Sequence, residues 1–381
     1  MKAVDDFLIS KQTGELSYLY IEIPFNIHEH RHVHVIDHIH SQRLDKLPFV
    51  YKRHCEVFSG FNQYTIEVAL KESITEEIMN SVVNTLFQVQ PSVEEIEQAK
   101  PSTEIEVLSN LMRRRDIFAQ LLDYGVSNVN DLFTLYRGIG TIANDEIVDV
   151  FDLLRVRPKT VILHTPEVRK HRSVTKKIFS QLNNGNAKPI KVDEIRPVEK
   201  EIVEIYEDDT LVHCEFIYTL QLSNVVEYQT ASILLAIYHD VLFEHLSKTG
   251  HVYTLDLLVD PVAYGRTYYV FSCQTFPELV DEVKETIVNG MQLDISELDP
   301  KRELFDEMIG KGNAEVKRWL GNSLERDFNR SWQETVFGDG NYVEPEEVQN
   351  AVDALSLQML DDFRKDKIGV DPDHVIVVSG V

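Results

Sequence analysis

The order of elements along these 381 residues occurs twice, and that repetition limits the possible folds more than any other feature. In the first half, "LSYLYIEIP" (16–24) and "QYTIEVAL" (63–70) alternate apolar and polar side chains as half-buried strands do. The segments 74–90, 104–122 and 128–136 repeat at helical spacing, which puts Ile105, Leu108, Leu111 and Met112 on one face. Strand "KTVILHT" (159–165) leads into a predicted helix, "EVRKHRSVTKKIFSQL", and then "NNGNAKPIKVDEIRPVEK", rich in Asn, Gly, Pro and charge, reads as a linker. Beyond it the order returns. Strand "LVHCEFIYTL" (211–220) precedes helix "TASILLAIYHDVLFEHL" (230–246), and strands "VYTLDLLV" and "TYYVFSCQT" precede helix "PELVDEVKETIVNGM". The closing "DHVIVVSGV" matches "PKTVILHTP" in its place near the end of a half.

The expected fold class is therefore α+β, with two similar domains, each an antiparallel sheet with helices packed on one side, joined by a linker. The boundaries read as 1–183, a linker at 184–200, and 201–381. Length agrees, since such a chain exceeds one ordinary core and suits two domains of roughly 150 to 200 residues.

The formal charge of −25 argues against a nucleic-acid partner, because "MRRRD" (112–116) is short and surrounded by acids. The same charge could attract a basic peptide to an acidic chamber. No run of about 18 apolar residues exists to span a membrane. The opening "MKAVDDFLISKQTGELSY" puts acids where a signal peptide needs a basic end, so export by that route is not expected. Cys55, Cys214 and Cys273 form no CxxC pair, which suggests neither a disulfide framework nor a thiolate zinc knot, and a cytoplasmic location follows as the default.

Six of the fourteen histidines fall in "IHEHRHVHVIDHIH" (27–40). On a helix, His34 and His38 share a face and could hold one zinc ion at roughly 2.0 to 2.1 Å each. Asp37 borders that face, where a carboxylate could take a proton from zinc-bound water. This is the H-x-x-E-H arrangement with Asp in place of Glu. His30 and His34 are also four apart, and on a strand His28, His30, His32 and His34 would line one solvated face, so the residues alone leave both readings open.

Downstream of "HVIDH" come "YKRHCEVFSGFNQYTIEVAL", "ITEEIMNSVVNTLF" and "VEEIEQAKPSTEIE". This succession resembles the N-terminal domain of the pitrilysin, or insulinase, zinc metallopeptidases. "LFEHLSKTGHVYTLDLLVDPVAYGRTYYVFSCQTFPELVDEV" and "HVIVVSGV" are similar to that family's C-terminal domain, so the likeness covers nearly the whole chain. It implies a third zinc ligand seven residues after another glutamate, a spacing that Glu97 and Glu104 have. It also implies a pair that holds the substrate carbonyl, Tyr253 with a cation at the position of Ser247 or Lys248.

Three departures bear on what the resemblance implies. Asp37 is one methylene shorter than the family's general base, which withdraws the carboxylate by about 1.5 Å and costs about 10²-fold if the water is misplaced. Pro101, just before Glu104, suggests that the helix restarts there. Lys248 at best replaces the oxyanion-binding arginine. The resemblance then points to a subunit of a heterodimeric zinc peptidase, paired with a homologous zinc-bearing subunit around a short peptide such as the leader of a bacteriocin precursor. Zinc would lie in the partner or at His34, His38 and Glu104. Two alternatives stand beside it. One is a self-sufficient zinc endopeptidase with Asp37 as base, and the other is a non-catalytic scaffold or peptide-binding protein.

Overall fold

The computed structural model describes residues 7–11, 16–58, 63–70, 74–112, 117–124, 126–182, 198–204, 210–261, 265–321, 323–338 and 341–379. The chain divides into two compact units, Met1–Asn110 with Leu121–Arg196, and Leu111–Gln120 with Pro197–Val381. The linker expected at 184–200 falls, up to residue 197, outside the described residues.

The first unit is built from β1 (Phe7–Lys11), β2 (Ser17–Pro24), α1 (His30–Leu44), β3 (Val50–Phe58), β4 (Gln63–Leu70), α2 (Glu76–Val83), α3 (Val93–Met112, as far as Asn110), the end of α4 (Ile117–Tyr124, whose residues up to Gln120 belong to the second unit), α5 (Val129–Arg137), α6 (Asn144–Val156), β5 (Thr160–Thr165) and α7 (Val168–Leu182). Its sheet runs β1-β5-β2-β4-β3, with β1 parallel to β5 and every other pair antiparallel. Strand β2 reads as alternating in the sequence, yet Leu19 through Ile23 are all buried, because β2 is the central strand.

The second unit repeats this plan with β6 (Glu201–Glu204), β7 (Val212–Gln221), α8 (Val225–Lys248), β8 (Leu255–Pro261), β9 (Arg266–Thr275), α9 (Val280–Gln292), α10 (Ile295–Leu298), α11 (Glu303–Gly321), α12 (Ser323–Phe337), α13 (Pro345–Asp353), α14 (Leu357–Lys367) and β10 (His374–Ser379). Its sheet order is β6-β10-β7-β9-β8, and the parallel pair is again at the β6 edge. The two sheets therefore correspond strand for strand, and α8 follows β7 as α1 follows β2. Asn224 starts α8 by accepting hydrogen bonds from the N–H groups of Val226 and Glu227 at 2.9 and 3.1 Å.

Helix α3 departs from expectation in two ways. It does not restart at Pro101 but continues through it. Proline supplies no N–H to the carbonyl four residues back. Here it is tolerated in a stretch where Thr103 Oγ1 donates back to the Ala99 carbonyl at 3.0 Å. Its buried face is Ile96, Ala99, Thr103 and Val107, whereas Ile105 is 68% exposed. Of the face expected at 105, 108, 111 and 112, only Ile105 can be compared and it is exposed; the side chains of Leu108, Leu111 and Met112 lie outside the described residues.

Two charged groups hold local structure in place. Arg43, buried near the end of α1, donates from Nε and Nη2 to both Glu95 oxygens at 2.8 Å, and to the carbonyls of Val89 and Gln90 at 2.6 and 3.0 Å. It thereby ties α1 to the turn that opens α3. In the second unit Glu215, fully buried in β7, accepts from the N–H groups of Ile117 and Phe118 at 2.7 and 2.8 Å, which satisfies the first donors of α4.

Two outcomes are expected. The Arg43 guanidinium holds the Glu95 carboxyl down at about 2, below its ordinary value near 4.5. A depressed carboxylate stabilises the fold above its unfolded value and loses that contribution as pH falls towards the folded one. Unfolding midpoints should therefore decline between pH 4.5 and 2, and Arg43→Met should flatten that decline. Glu215→Ala leaves two buried N–H groups unsatisfied and should cost about 2–4 kcal/mol in urea unfolding, with Glu215→Gln costing less.

Candidate active site

The histidine-rich stretch is helical from His30 onward, so the strand alternative is excluded. His34 and His38 lie one turn apart on α1, and His30 stacks edge-on against His34 with ring centroids 4.7 Å apart. Burial brings the His34 imidazole down to about 4, with Glu106 opposing and His38 assisting, so His34 is neutral at physiological pH.

The carboxylate facing this pair belongs to Glu106. Its Oε2 lies 2.8 Å from His38 Nε2, and contact with His38, aided by His34, lowers its carboxyl. Glu104 lies elsewhere, its Oε2 2.9 Å from where a Cβ on Gly140 would stand. Helical geometry explains the difference, because residues two apart on a continuous helix are separated by about 160° around the axis. Glu104 and Glu106 thus flank opposite sides of the buried face of α3. Glu97 is held by Lys100 Nζ at 3.0 Å.

Asp37 is half-buried and joins a hydrogen-bonded network beneath α1. The Tyr64 hydroxyl contacts the Asp37 carboxyl and the Cys55 thiol. It also lies 2.9 Å from His40 Nδ1, while His40 Nε2 lies 2.8 Å from the Leu86 carbonyl. A carbonyl only accepts, so His40 donates from Nε2 and its Nδ1 accepts a hydrogen bond from the Tyr64 hydroxyl. Leu86 sits in a π-helical turn, Asn84–Gln88, closed by the Val89 N–H on the Asn84 carbonyl at 3.3 Å. Such turns occur often at functional sites. Burial raises the Asp37 carboxyl to about 6, with His38 acting against it.

The zinc that the resemblance implies requires three donors pointed at one position. Among the described residues no group of three His, Cys, Asp or Glu side chains is arranged to hold a metal ion. His38 and Glu106 meet each other at hydrogen-bond distance, so the side chains as placed do not fit the ion.

In the second unit Tyr253 is 90% exposed, on the loop between α8 and β8 and not in a strand. Lys248 ends α8 in an exposed ion pair with Glu244 one turn back, and Ser247 Oγ donates to the Glu244 carbonyl at 3.3 Å. Sequence reasoning missed Glu106, Tyr64 and His40. The apolar phase of α3 around Ile96, Ala99 and Val107 was the one signal that could have distinguished Glu106 from Glu104.

These features define a duplicated α+β fold in which two histidines of α1 meet a glutamate of α3. No family model matches the chain, and no curated protein matches it. Solved structures do. The periplasmic protease PqqL from Escherichia coli matches with a TM-score of 0.71 at 10% identity, covering 98% of this chain and 44% of that one. A peptidase M16 inactive domain from Pseudomonas fluorescens matches with a TM-score of 0.69 at 10% identity, covering 98% and 94%. Pitrilysin matches with a TM-score of 0.69 at 12% identity, covering 99% and 43%. The chain thus has the fold of M16 peptidases and spans less than half of the two longer proteases. Among the described residues no helix is long and apolar enough to cross a membrane.

Tyr64→Phe removes the partner of a buried histidine nitrogen and should cost about 1–3 kcal/mol, read as a lower urea midpoint. His38→Ala, at a half-buried ion pair, should change that midpoint much less.

Proposed function

We propose that this chain is the non-catalytic subunit of a two-chain peptidase, pairing with a homologous zinc-bearing subunit to enclose an extended peptide. A bacteriocin leader is the substrate class in view, as for the smaller, AlbE-type subunit of subtilosin-processing peptidases. The observation that carries this reading is that the catalytic-type side chains are occupied within the chain. His38 is engaged by Glu106, and Asp37 is drawn into the Tyr64 network. The fold supports it, since the chain is similar to nearly all of a domain described as inactive. The charge of −25 favours a basic peptide.

A second reading, a self-sufficient zinc endopeptidase, is favoured by one feature. His34, His38 and Glu106 act on one another electrostatically, and zinc binding would require Glu106 to release His38.

Zinc per chain and chelator-sensitive cleavage of basic fluorogenic peptides, both measured on the chain purified alone, separate the readings. The subunit reading expects neither stoichiometric zinc nor cleavage. It expects cleavage with a homologous zinc-bearing chain, unaffected by His34→Ala or His38→Ala here. One zinc per chain that Glu106→Ala removes and Glu104→Ala leaves, together with cleavage by the chain alone, would establish the second reading.

A further inference from the structure

Two cysteines far apart in the sequence meet in the second sheet. Cys214 of β7 and Cys273 of β9 are direct register partners, 0% and 2% exposed, and both are free thiols. At the end of this ladder the Leu222 N–H donates to the Gly265 carbonyl at 2.7 Å. Hydrogen-bonded pairs recur at every second position, which makes Cys214 and Cys273 such a pair, with Cα atoms about 5.5 Å apart. A disulfide requires about 4.4–6.8 Å between Cα atoms. As directly opposed register partners, the two side chains project from the same face of the sheet.

The pair also has a route to solvent. Leu255 of β8 is the register partner of Cys273, so Cys214, Cys273 and Leu255 form one row across three strands. The row lies on the face covered by α8, where Tyr269, on the same side of β9 as Cys273, reaches Ser232 at 3.3 Å. Among the described strands β8 pairs with β9 alone and ends the sheet. A cavity of about 560 Å³ lies at this edge, lined by Ala236, His239, Leu255, Leu257, Ser272 and Lys311 among others. Leu255 and Ser272 are the cross-strand partner and the chain neighbour of Cys273. Leu255, which lines the cavity, is the residue that separates it from Cys273 along this row.

We propose that Cys214 and Cys273 form a dithiol–disulfide site, oxidised by a low-molecular-weight disulfide such as glutathione disulfide entering through this cavity. Cys273 loses its proton and attacks one sulfur of the small disulfide, which breaks that S–S bond and releases one glutathione thiolate. Cys214, deprotonated in turn, attacks the Cys273 sulfur of the mixed disulfide and releases the second. Two protein thiols are oxidised to one disulfide as one small disulfide is reduced to two thiols. The bridge clamps β7 to β9. Contact with Cys214 and burial push the Cys273 thiol well above its ordinary range, so exchange is slow at neutral pH and quickens as pH rises.

The test is incubation of the full chain with glutathione disulfide at several pH values, followed by acid quench, alkylation in denaturant and peptide mass mapping. The expected product has Cys214 and Cys273 linked, a mass lower by two hydrogens and an unchanged near-ultraviolet circular dichroism spectrum, and dithiothreitol reverses it. Cys55, whose register partner is Ile66, should gain no internal bridge. Cys214→Ser and Cys273→Ser should each stop at a glutathione adduct or not react. Ala236→Leu, which narrows the cavity, should slow bridge formation several-fold without lowering the thermal midpoint. Persistence of both thiols at a pH where free glutathione exchanges readily would overturn the site. A bridge that appears only as the circular dichroism signal collapses would do the same, and an unchanged rate in Ala236→Leu would overturn the cavity route.

Discussion

Each sheet is closed by its last strand. β5 enters between β1 and β2, and β10 between β6 and β7, so neither sheet is complete until its whole half of the chain is in place. Such non-local pairing is costly in chain entropy, and burial of the apolar residues at the centre of each inserted strand offsets that cost. Val161, Ile162 and Leu163 in β5, and Val375 to Val378 in β10, are buried. The positions of α1 and α8 follow from this closure, since both pack on sheets whose order it determines.

The chemistry available on α1 depends on a second layer of polar contacts. Arg43 anchors the helix to the opening of α3, and that anchor brings Glu106 within reach of His38. Beneath the helix, Tyr64 and His40 connect Asp37 to a π-helical turn, so the carboxylate that borders the histidines is held by buried groups. A buried polar network of this kind is costly to leave half satisfied. It therefore persists whether or not the histidines serve a metal.

The second unit has the same frame with different contents. Where α1 carries histidines, α8 carries Ile233, Leu234, Leu235 and Ile237, all buried. Apolar packing replaces the polar cluster, and the reactive groups of this unit are instead in the sheet, where two thiols face each other beside an edge cavity.

The sequence by itself determined the repeated order of strands and helices, the near-exact extents of β4 and β5, and the shared face of His34 and His38. These are local properties, set by alternation and helical spacing. It misjudged α3, because the cost of Pro101 suggested a break that tertiary packing overrides, and continuity through the proline is what turns Glu106 to the histidines and Glu104 away. The Tyr64–Asp37 contact, the exposure of Tyr253 and the opposition of Cys214 to Cys273 depend on strand register and loop placement. Those were decided only by the tertiary structure, because a sheet's register joins residues whose separation along the chain carries no signal of their meeting.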